Sequence, residues 1–117
     1  MQTSNIIGKS LGEIEVLTFI QTIYQGQILS GYIHPKVKKE LDIYLPEVQI
    51  GFEYNGAYWH SDRFVDKDTH LTKKRLYEKE AGITVYFISS LDWTDPVKRK
   101  LIETRIRCIL GQLIHLN

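Results

Sequence analysis

Hydrophobic and polar residues alternate with two different periods along this chain of 117 residues. The strictest alternation lies in 40–54, where apolar residues recur at every second position on both sides of Pro46. A period of two is typical of strands, and the short connection favours a hairpin. We therefore predict two adjacent strands, over about 40–45 and 48–54.

Helical periodicity and turn residues predict the other elements. Ser10, with Glu13 three residues later, is a capping-box pattern that opens a helix reaching about Gln25, before Gly26. The remaining predicted elements are a loose lead-in over 1–9, a strand over 27–33, a charged helix over about 66–80 ended by Gly82, a buried strand over 83–89, and a last helix from Thr94 or Asp95 to about Gly111. This order predicts one α/β domain over 1–117, an α/β sandwich with a mixed sheet of about four strands and helices on both faces.

Composition narrows the class of protein. An apolar content of 43% and a net charge of +1 are ordinary for a globular domain, and they argue against a tail-driven nucleic-acid binder. Basic clusters such as Lys73-Lys74-Arg75 can contact phosphates, although a solvated helix face is the simpler interpretation of each one. The single cysteine, Cys108, excludes an internal disulfide and a Cys-rich zinc site, and we expect it to pack in the core. We predict no membrane span, no signal peptide and an intracellular location.

The candidate chemistry lies on the predicted hairpin. Asp42 and Glu53 fall on one sheet face, where we expect them to meet across the two strands. Two carboxylates on a buried face repel each other, and a hard divalent cation such as Mg²⁺ relieves that repulsion. Glu13 lies on the inward stripe of the first helix, whereas Glu15 lies on the predicted solvent side. An active-site role for Glu13 and completion of the capping box are both open, and they are compatible.

Basic and imidazole groups near the hairpin complete the candidate site. His60, in GAYWHSD, follows the second strand and can orient or deprotonate an attacking water. On the second predicted helix, His70, Lys73 and Tyr77 share one face, with Lys74 close to it. Lysine at that place can stabilise phosphate charge in a transition state. A solvated basic helix is the alternative.

These residues resemble the PD-(D/E)xK nuclease superfamily. The run ELDIYLPEVQIGFEYNGAYWHSD is most similar to its very-short-patch-repair-like branch, and within it to phage homing endonucleases of the EDxHD type. SLGEIE, HLTKK and SSLDW extend the likeness over nearly the whole chain. The resemblance implies a restriction-endonuclease-like fold and a Mg²⁺-dependent DNA endonuclease, with Mn²⁺ as a possible substitute ion.

The same resemblance implies roles for individual residues. Asp42 and Glu53 would hold the metal together with the backbone carbonyl of Tyr54. Glu13 and His60 match the family's first-helix glutamate and its histidine. From the second predicted helix we add Lys73 to the catalytic set and His70 and Lys74 to the substrate contacts, together with Asn55, which stands where the family lysine is expected. The last family acid stays open among Asp62, Asp66 and Asp68.

The chain differs from the very-short-patch-repair enzymes in two ways, and both differences bear on which kind of nuclease it resembles. The chain lacks the cysteines of the structural zinc found in the repair enzymes, and those enzymes have a non-acidic residue where Glu53 stands. We therefore favour a homing-type endonuclease over a strand-nicking repair enzyme. The missing lysine at Asn55 motivates a second hypothesis, a DNA-binding module on a nuclease-derived fold that does not cleave.

The expected partner is double-stranded DNA. One small domain offers too few contacts for a long recognition site. We therefore expect the chain to act as a homodimer, or to belong to a longer protein with an additional DNA-binding domain. The family implies the cytoplasm or nucleoid of a bacterial host.

Overall fold

The computed structural model describes residues 9–55 and 64–111, without the side chains of Asn55 and 64–69. The predicted lead-in therefore lies almost wholly outside the described residues. The elements, in chain order, are α1 (Leu11–Ile23), β1 (Leu29–Ile33), β2 (Glu40–Leu45), β3 (Ile50–Asn55), α2 (Phe64–Leu76) with a π-helical turn at Tyr77–Ala81, β4 (Thr84–Ser89), α3 (Ser90–Trp93) and α4 (Pro96–Ile109).

The four strands form one mixed sheet in the order β1-β2-β3-β4. The first three are antiparallel neighbours, and β4 runs parallel to β3. A parallel pair needs a long crossover, and here the chain between β3 and β4 contains α2. The predicted α/β class with a four-stranded mixed sheet flanked by helices is confirmed.

Two hydrophobic clusters lie on opposite faces of the sheet. The first joins α1, α3 and α4 to the sheet; its fully or nearly fully buried residues are Val16, Leu17, Ile20, Ile23, Ile43, Leu45, Phe52, Ile88, Trp93 and Ile106. The second joins the end of α2 to the other face through Val37, Leu41, Tyr44, Tyr77, Ile83 and Val85. Burial of this apolar area supplies the main favourable term in folding.

Capping side chains fix where two of the helices begin. Ser10 Oγ accepts a hydrogen bond from the amide of Glu13, as the capping-box pattern predicts. Asp95 is the cap of α4, because its Oδ1 accepts from the amides of Val97 and Lys98. Pro96 follows at the first helical position, where its missing N–H costs nothing.

The structure corrects several predicted boundaries. β3 begins at Ile50 rather than at position 48, because Pro46–Gln49 forms the turn and Gln49 has a positive φ of 53°. α1 ends at Ile23, two residues early. The sequence pattern missed α3 and the π-helical turn. Cys108 is exposed, so the expectation that it packs in the core is wrong. Within the described ranges, no helix has the length and apolar character needed to cross a membrane.

Candidate active site

Asp42 and Glu53 lie directly opposite each other on β2 and β3, as the alternation predicts. The paired register runs from Leu45–Ile50 to Ile43–Phe52, and continuing it by one residue brings Asp42 opposite Glu53. Each strand then donates an amide to the carboxylate of the other: Asp42 N–H to Glu53 Oε2 at 2.8 Å, and Tyr54 N–H to Asp42 Oδ2 at 2.8 Å. The acids therefore replace backbone carbonyls as the acceptors that join the strands.

A break in alternation on β2 places Asp42 between the two faces of the sheet. In a regular strand Leu41 and Ile43, two residues apart, would face the same side. Here Leu41 belongs to the cluster on the α2 face and Ile43 to the cluster on the opposite face, while Tyr44, three residues after Leu41, lies on the α2 face again. The break falls at Asp42, opposite Gly31 on β1, which has a positive φ of 69°. Glycine adopts that conformation without a steric cost. The Asp42 carboxylate is thereby within electrostatic reach of groups from α1 and α2.

The pKa of the Asp42 carboxyl is raised from 3.8 to about 7, mainly by burial and then by the negative charges of Glu53 and Glu13. The hydrogen bond from the Tyr54 amide and the positive charge of Lys73 act against this rise. The negative charges of Asp42, Glu53 and Glu13 therefore repel one another in one partly buried region. An acid whose ionised form is disfavoured in this way is a candidate for a functional site.

The raised pKa predicts that metal-free protein loses stability as the pH increases. In the unfolded chain the Asp42 carboxyl ionises near pH 4, whereas in the folded chain it ionises only near pH 7. The free energy of unfolding therefore falls as the pH rises between these two values, and the full loss is present above pH 7. We expect Asp42→Asn to remove this loss, on the order of 2 kcal/mol between pH 5 and pH 8. Urea unfolding in EDTA at both pH values measures it. Equal pH dependence of the two proteins would contradict the assignment.

Lys73, on α2, supplies positive charge to this region. Its ammonium donates to Glu53 Oε1 at 2.8 Å and to the Glu40 carbonyl at 2.7 Å. The Glu53 side chain is only 2% exposed and that of Lys73 is 16% exposed, so the pair is largely shielded from water. A buried carboxylate requires such a partner. The sequence-based choice of Lys73 thus falls on a residue in direct contact with the acid pair.

Glu13 approaches the same region from α1. Its carboxylate accepts a hydrogen bond from Lys9 Nζ at 3.0 Å, and its charge contributes to the raised pKa of Asp42. Its position on the buried stripe of α1 agrees with the prediction. Sequence reasoning missed Lys9, although its i, i+4 spacing from Glu13 is typical of an ion pair on or near a helix.

Gly12 brings the first turn of α1 against Tyr54 of β3. A Cβ atom at Gly12 would lie 1.9 Å from Tyr54 Oη and 2.4 Å from its Cζ. Since the Tyr54 amide also binds Asp42, this contact ties α1 to the acid pair. The close approach requires glycine at a helical position where alanine would otherwise be preferred.

We expect Gly12→Ala to destabilise the protein by about 1–3 kcal/mol, because the tyrosine ring must move out of a packed position. In a Tyr54→Leu background the ring atoms are gone, and the same change should become neutral or stabilising through helix propensity. Chemical denaturation of the four proteins measures the sign change. An equal cost in both backgrounds would show that the Tyr54 contact is not the reason for glycine.

The other predicted site residues have different surroundings. His70 packs edge-on against Phe87, with ring centroids 6.1 Å apart, and Phe87 lies beside Glu53 in the register of β3 and β4. Lys74 donates to the Val85 carbonyl at 2.8 Å and pairs with Glu78, so it is not joined to the acid pair. His60, Asp62 and the side chains of Asn55, Asp66 and Asp68 lie outside the described residues.

Glu15 corrects a prediction about α1. It was expected to face solvent, but its Oε1 accepts from Trp93 Nε1 at 2.9 Å and from Arg99 Nη1 at 3.3 Å. The Arg99 guanidinium also stacks 4.2 Å above the Trp93 ring. Glu15 therefore joins α1 to α3 and α4 and has a structural role on the same helix that carries Glu13.

The acid pair has a donor set that suits a hard divalent cation. Among the side chains that the structure describes, no three His, Cys, Asp or Glu residues are grouped to hold a metal ion. Asp42 and Glu53 nevertheless offer two carboxylates, each with lone pairs beyond those used by the amide hydrogen bonds. Their mutual repulsion favours a bound cation. Further ligands would come from backbone carbonyls, water or substrate.

The chain matches no family model, and no curated protein or solved structure is significantly similar to it. Function is therefore inferred from the geometry and electrostatics of the acid pair.

Proposed function

We propose that this chain is a metal-dependent DNA endonuclease domain that hydrolyses phosphodiester bonds. The observation that carries the proposal is the facing pair Asp42 and Glu53, with Glu13 reaching it from one helix and Lys73 from another. Carboxylates in facing positions, with a lysine beside them, suit a reaction in which negative charge builds up on a phosphate.

Each residue has a distinct part in this proposal. Asp42 and Glu53 would hold Mg²⁺, with the Tyr54 carbonyl as a further ligand by family resemblance. A bound Mg²⁺ would lower the pKa of a water molecule and offset the negative charge that builds up on the oxygens of the attacked phosphate. Lys73 pairs with Glu53 at 2.8 Å, and its ammonium could also approach a phosphate oxygen. His60 is proposed as the general base from its place after β3.

Plasmid cleavage tests the proposal. We expect supercoiled DNA to be converted to relaxed or linear product with Mg²⁺ or Mn²⁺, and to stay intact with EDTA. Relaxed product alone would indicate nicking, and linear product formed from the start would indicate a cut in both strands. Intact plasmid with both cations, over a range of DNA lengths and protein concentrations, would contradict the proposal.

A second candidate is a DNA-binding module that does not cleave. The observation that favours it is the Lys73–Glu53 ion pair, because an ammonium already offsets one of the two buried acids. Titration calorimetry separates the candidates. A nuclease should bind Mn²⁺ in a way that depends on Asp42, whereas a non-cleaving module should bind DNA with an affinity that Mn²⁺ and Asp42→Asn leave unchanged.

Double-stranded DNA remains the proposed partner, with an intracellular setting. The exposed basic residues of α4 offer charge for phosphate contacts; they are Lys98, Lys100 and Arg105. Their contribution should weaken with increasing salt, as counterion release requires. Either a second copy of the chain or a separate DNA-binding domain would supply the further contacts that a long target needs.

A further inference from the structure

The loop between β1 and β2 (34–39), here called the lysine loop, carries three exposed lysines. They are Lys36, Lys38 and Lys39, whereas Val37 among them is buried in the cluster on the α2 face. Within the part of the chain that the structure describes, no acidic side chain forms an ion pair with any of these lysines. The loop therefore presents three positive charges that no paired carboxylate neutralises.

Contacts to the backbone hold the lysine loop in shape although its lysines are exposed. The Lys36 amide donates to His34 Nδ1 at 3.0 Å, and the Lys38 amide donates to the His34 carbonyl at 2.8 Å. The hydroxyl of Tyr77, a fully buried residue, donates to the Lys39 carbonyl and accepts from the His34 amide at 3.3 Å. A loop held in this way binds a partner with a smaller ordering cost.

The backbone of Lys38 indicates that charge matters at this position. Its φ is 61°, in the left-handed region that disfavours most residues other than glycine, asparagine and aspartate. Glycine would adopt this conformation at no steric cost but would supply no charge. Solvation of a surface loop accounts for exposed lysines, but it gives no reason for lysine rather than glycine at a positive φ.

The lysine loop leads directly to the acid pair. β2 begins at Glu40, immediately after the loop, and Asp42 is its third residue. At about 3.3 Å per residue, the backbone of Lys39 lies about 10 Å from that of Asp42, which spans about three nucleotides of one DNA strand. Lys73 ties the end of the loop to the acid pair, because its ammonium binds both the Glu40 carbonyl and Glu53 Oε1.

We propose that the lysine loop binds backbone phosphates of double-stranded DNA next to the phosphate that the acid pair would attack. This inference rests on the proposed function, because it assigns the loop to the same substrate. Phosphate contacts carry no sequence information, so the loop would hold DNA of any sequence.

Fluorescence anisotropy with a short labelled duplex in EDTA measures DNA binding without cleavage. We expect Lys36→Gln, Lys38→Gln and Lys39→Gln each to weaken binding about fivefold to tenfold at about 0.1 M salt. Each should also lower the slope of log affinity against log salt by about 1, and the triple variant by about 2.7, because phosphate contacts are lost. Lys79→Gln is the matched control: Lys79 is exposed on the π-helical turn between two glutamates, and its loss should leave the slope unchanged.

Lys38→Gly separates the charge of the loop from its shape. Glycine suits the positive φ, so this variant should melt at the same or a higher temperature than the unmodified chain. It should nevertheless bind DNA as weakly as Lys38→Gln. A variant that is at least as stable but binds DNA less tightly has lost a contact rather than structure.

The outcomes distinguish this inference from the proposed function. Unchanged affinity and salt slope in the triple variant would overturn the inference, and an equal loss in Lys79→Gln would do so by indicating net charge rather than this loop. If the loop variants weaken DNA binding as expected but the unmodified chain leaves plasmid intact, the proposed function fails and the DNA contact of the loop stands. No DNA binding by the unmodified chain at low salt would overturn both.

Discussion

Replacing Asp42 with asparagine should reduce Mg²⁺-dependent plasmid cleavage at least about 100-fold, equivalent to about 2.7 kcal/mol of transition-state stabilisation. Asparagine has nearly the same shape, and its amide oxygen can still accept the hydrogen bond from the Tyr54 amide. What it lacks is the negative charge that would hold the cation. Cleavage rates on supercoiled plasmid, over a range of Mg²⁺ concentrations, measure the loss.

Stability separates a catalytic loss from a folding defect in this variant. Because the ionised Asp42 is disfavoured in the folded chain, Asp42→Asn should be more stable than the unmodified chain at pH 8 in EDTA. A protein that is more stable but inactive has lost chemistry rather than structure. Asp92→Asn makes the same chemical change on the partly exposed helix α3 and should cleave normally. Cleavage by Asp42→Asn at the unmodified rate would end the nuclease assignment.

Replacing Lys73 with methionine should lower the free energy of unfolding by about 3 kcal/mol, because it leaves the buried Glu53 carboxylate without its positive partner. Methionine keeps most of the length and apolar character of the side chain, so the change reports mainly on charge. Lys98→Met is the control: that side chain is 60% exposed and lies 3.7 Å from Asp92, and it should cost less than about 0.5 kcal/mol.

Neutralising Glu53 should reverse most of this loss. In Lys73→Met/Glu53→Gln the amide oxygen of glutamine can still accept from the Asp42 amide, and no charge is left unpaired. Urea unfolding of the single and double variants at pH 7 gives the coupling energy between the two positions. A double variant less stable than Lys73→Met would show that the methionine change acts through packing rather than through the charge of Glu53.

The period-two pattern of the hairpin predicted that Asp42 and Glu53 come close together, but it did not fix the register. The predicted two-residue connection at Pro46 and Glu47 would place Gly51 opposite Asp42, and the longer turn Pro46–Gln49 shifts the pairing so that Glu53 lies there instead. The order of elements likewise predicted the mixed sheet and its two covering layers. These features are local or depend on a single strand pairing, which is why the sequence alone predicts them.

Features that depend on contacts between distant segments were not predictable in this way. The break in alternation at Asp42 lies opposite the positive φ of Gly31, on a different strand. The pairing of Glu15 with Trp93 and Arg99 depends on how α4 packs beside α1, and periodicity along α1 alone places Glu15 towards solvent. Lys9 was overlooked because a lysine before a helix cap is usually exposed.

The amide hydrogen bonds to Asp42 and Glu53 have a consequence for reading related sequences. Both acids join β2 to β3, so selection for a stable sheet would preserve acceptors at these positions even in a descendant without the proposed activity. Because asparagine or glutamine would accept the same hydrogen bonds, retention of the charged acids in a homologue would indicate a need for charge rather than for strand contacts. Substitution of either acid by its amide, which keeps the strand contacts and discards the charge, is the change that would mark an inactive lineage.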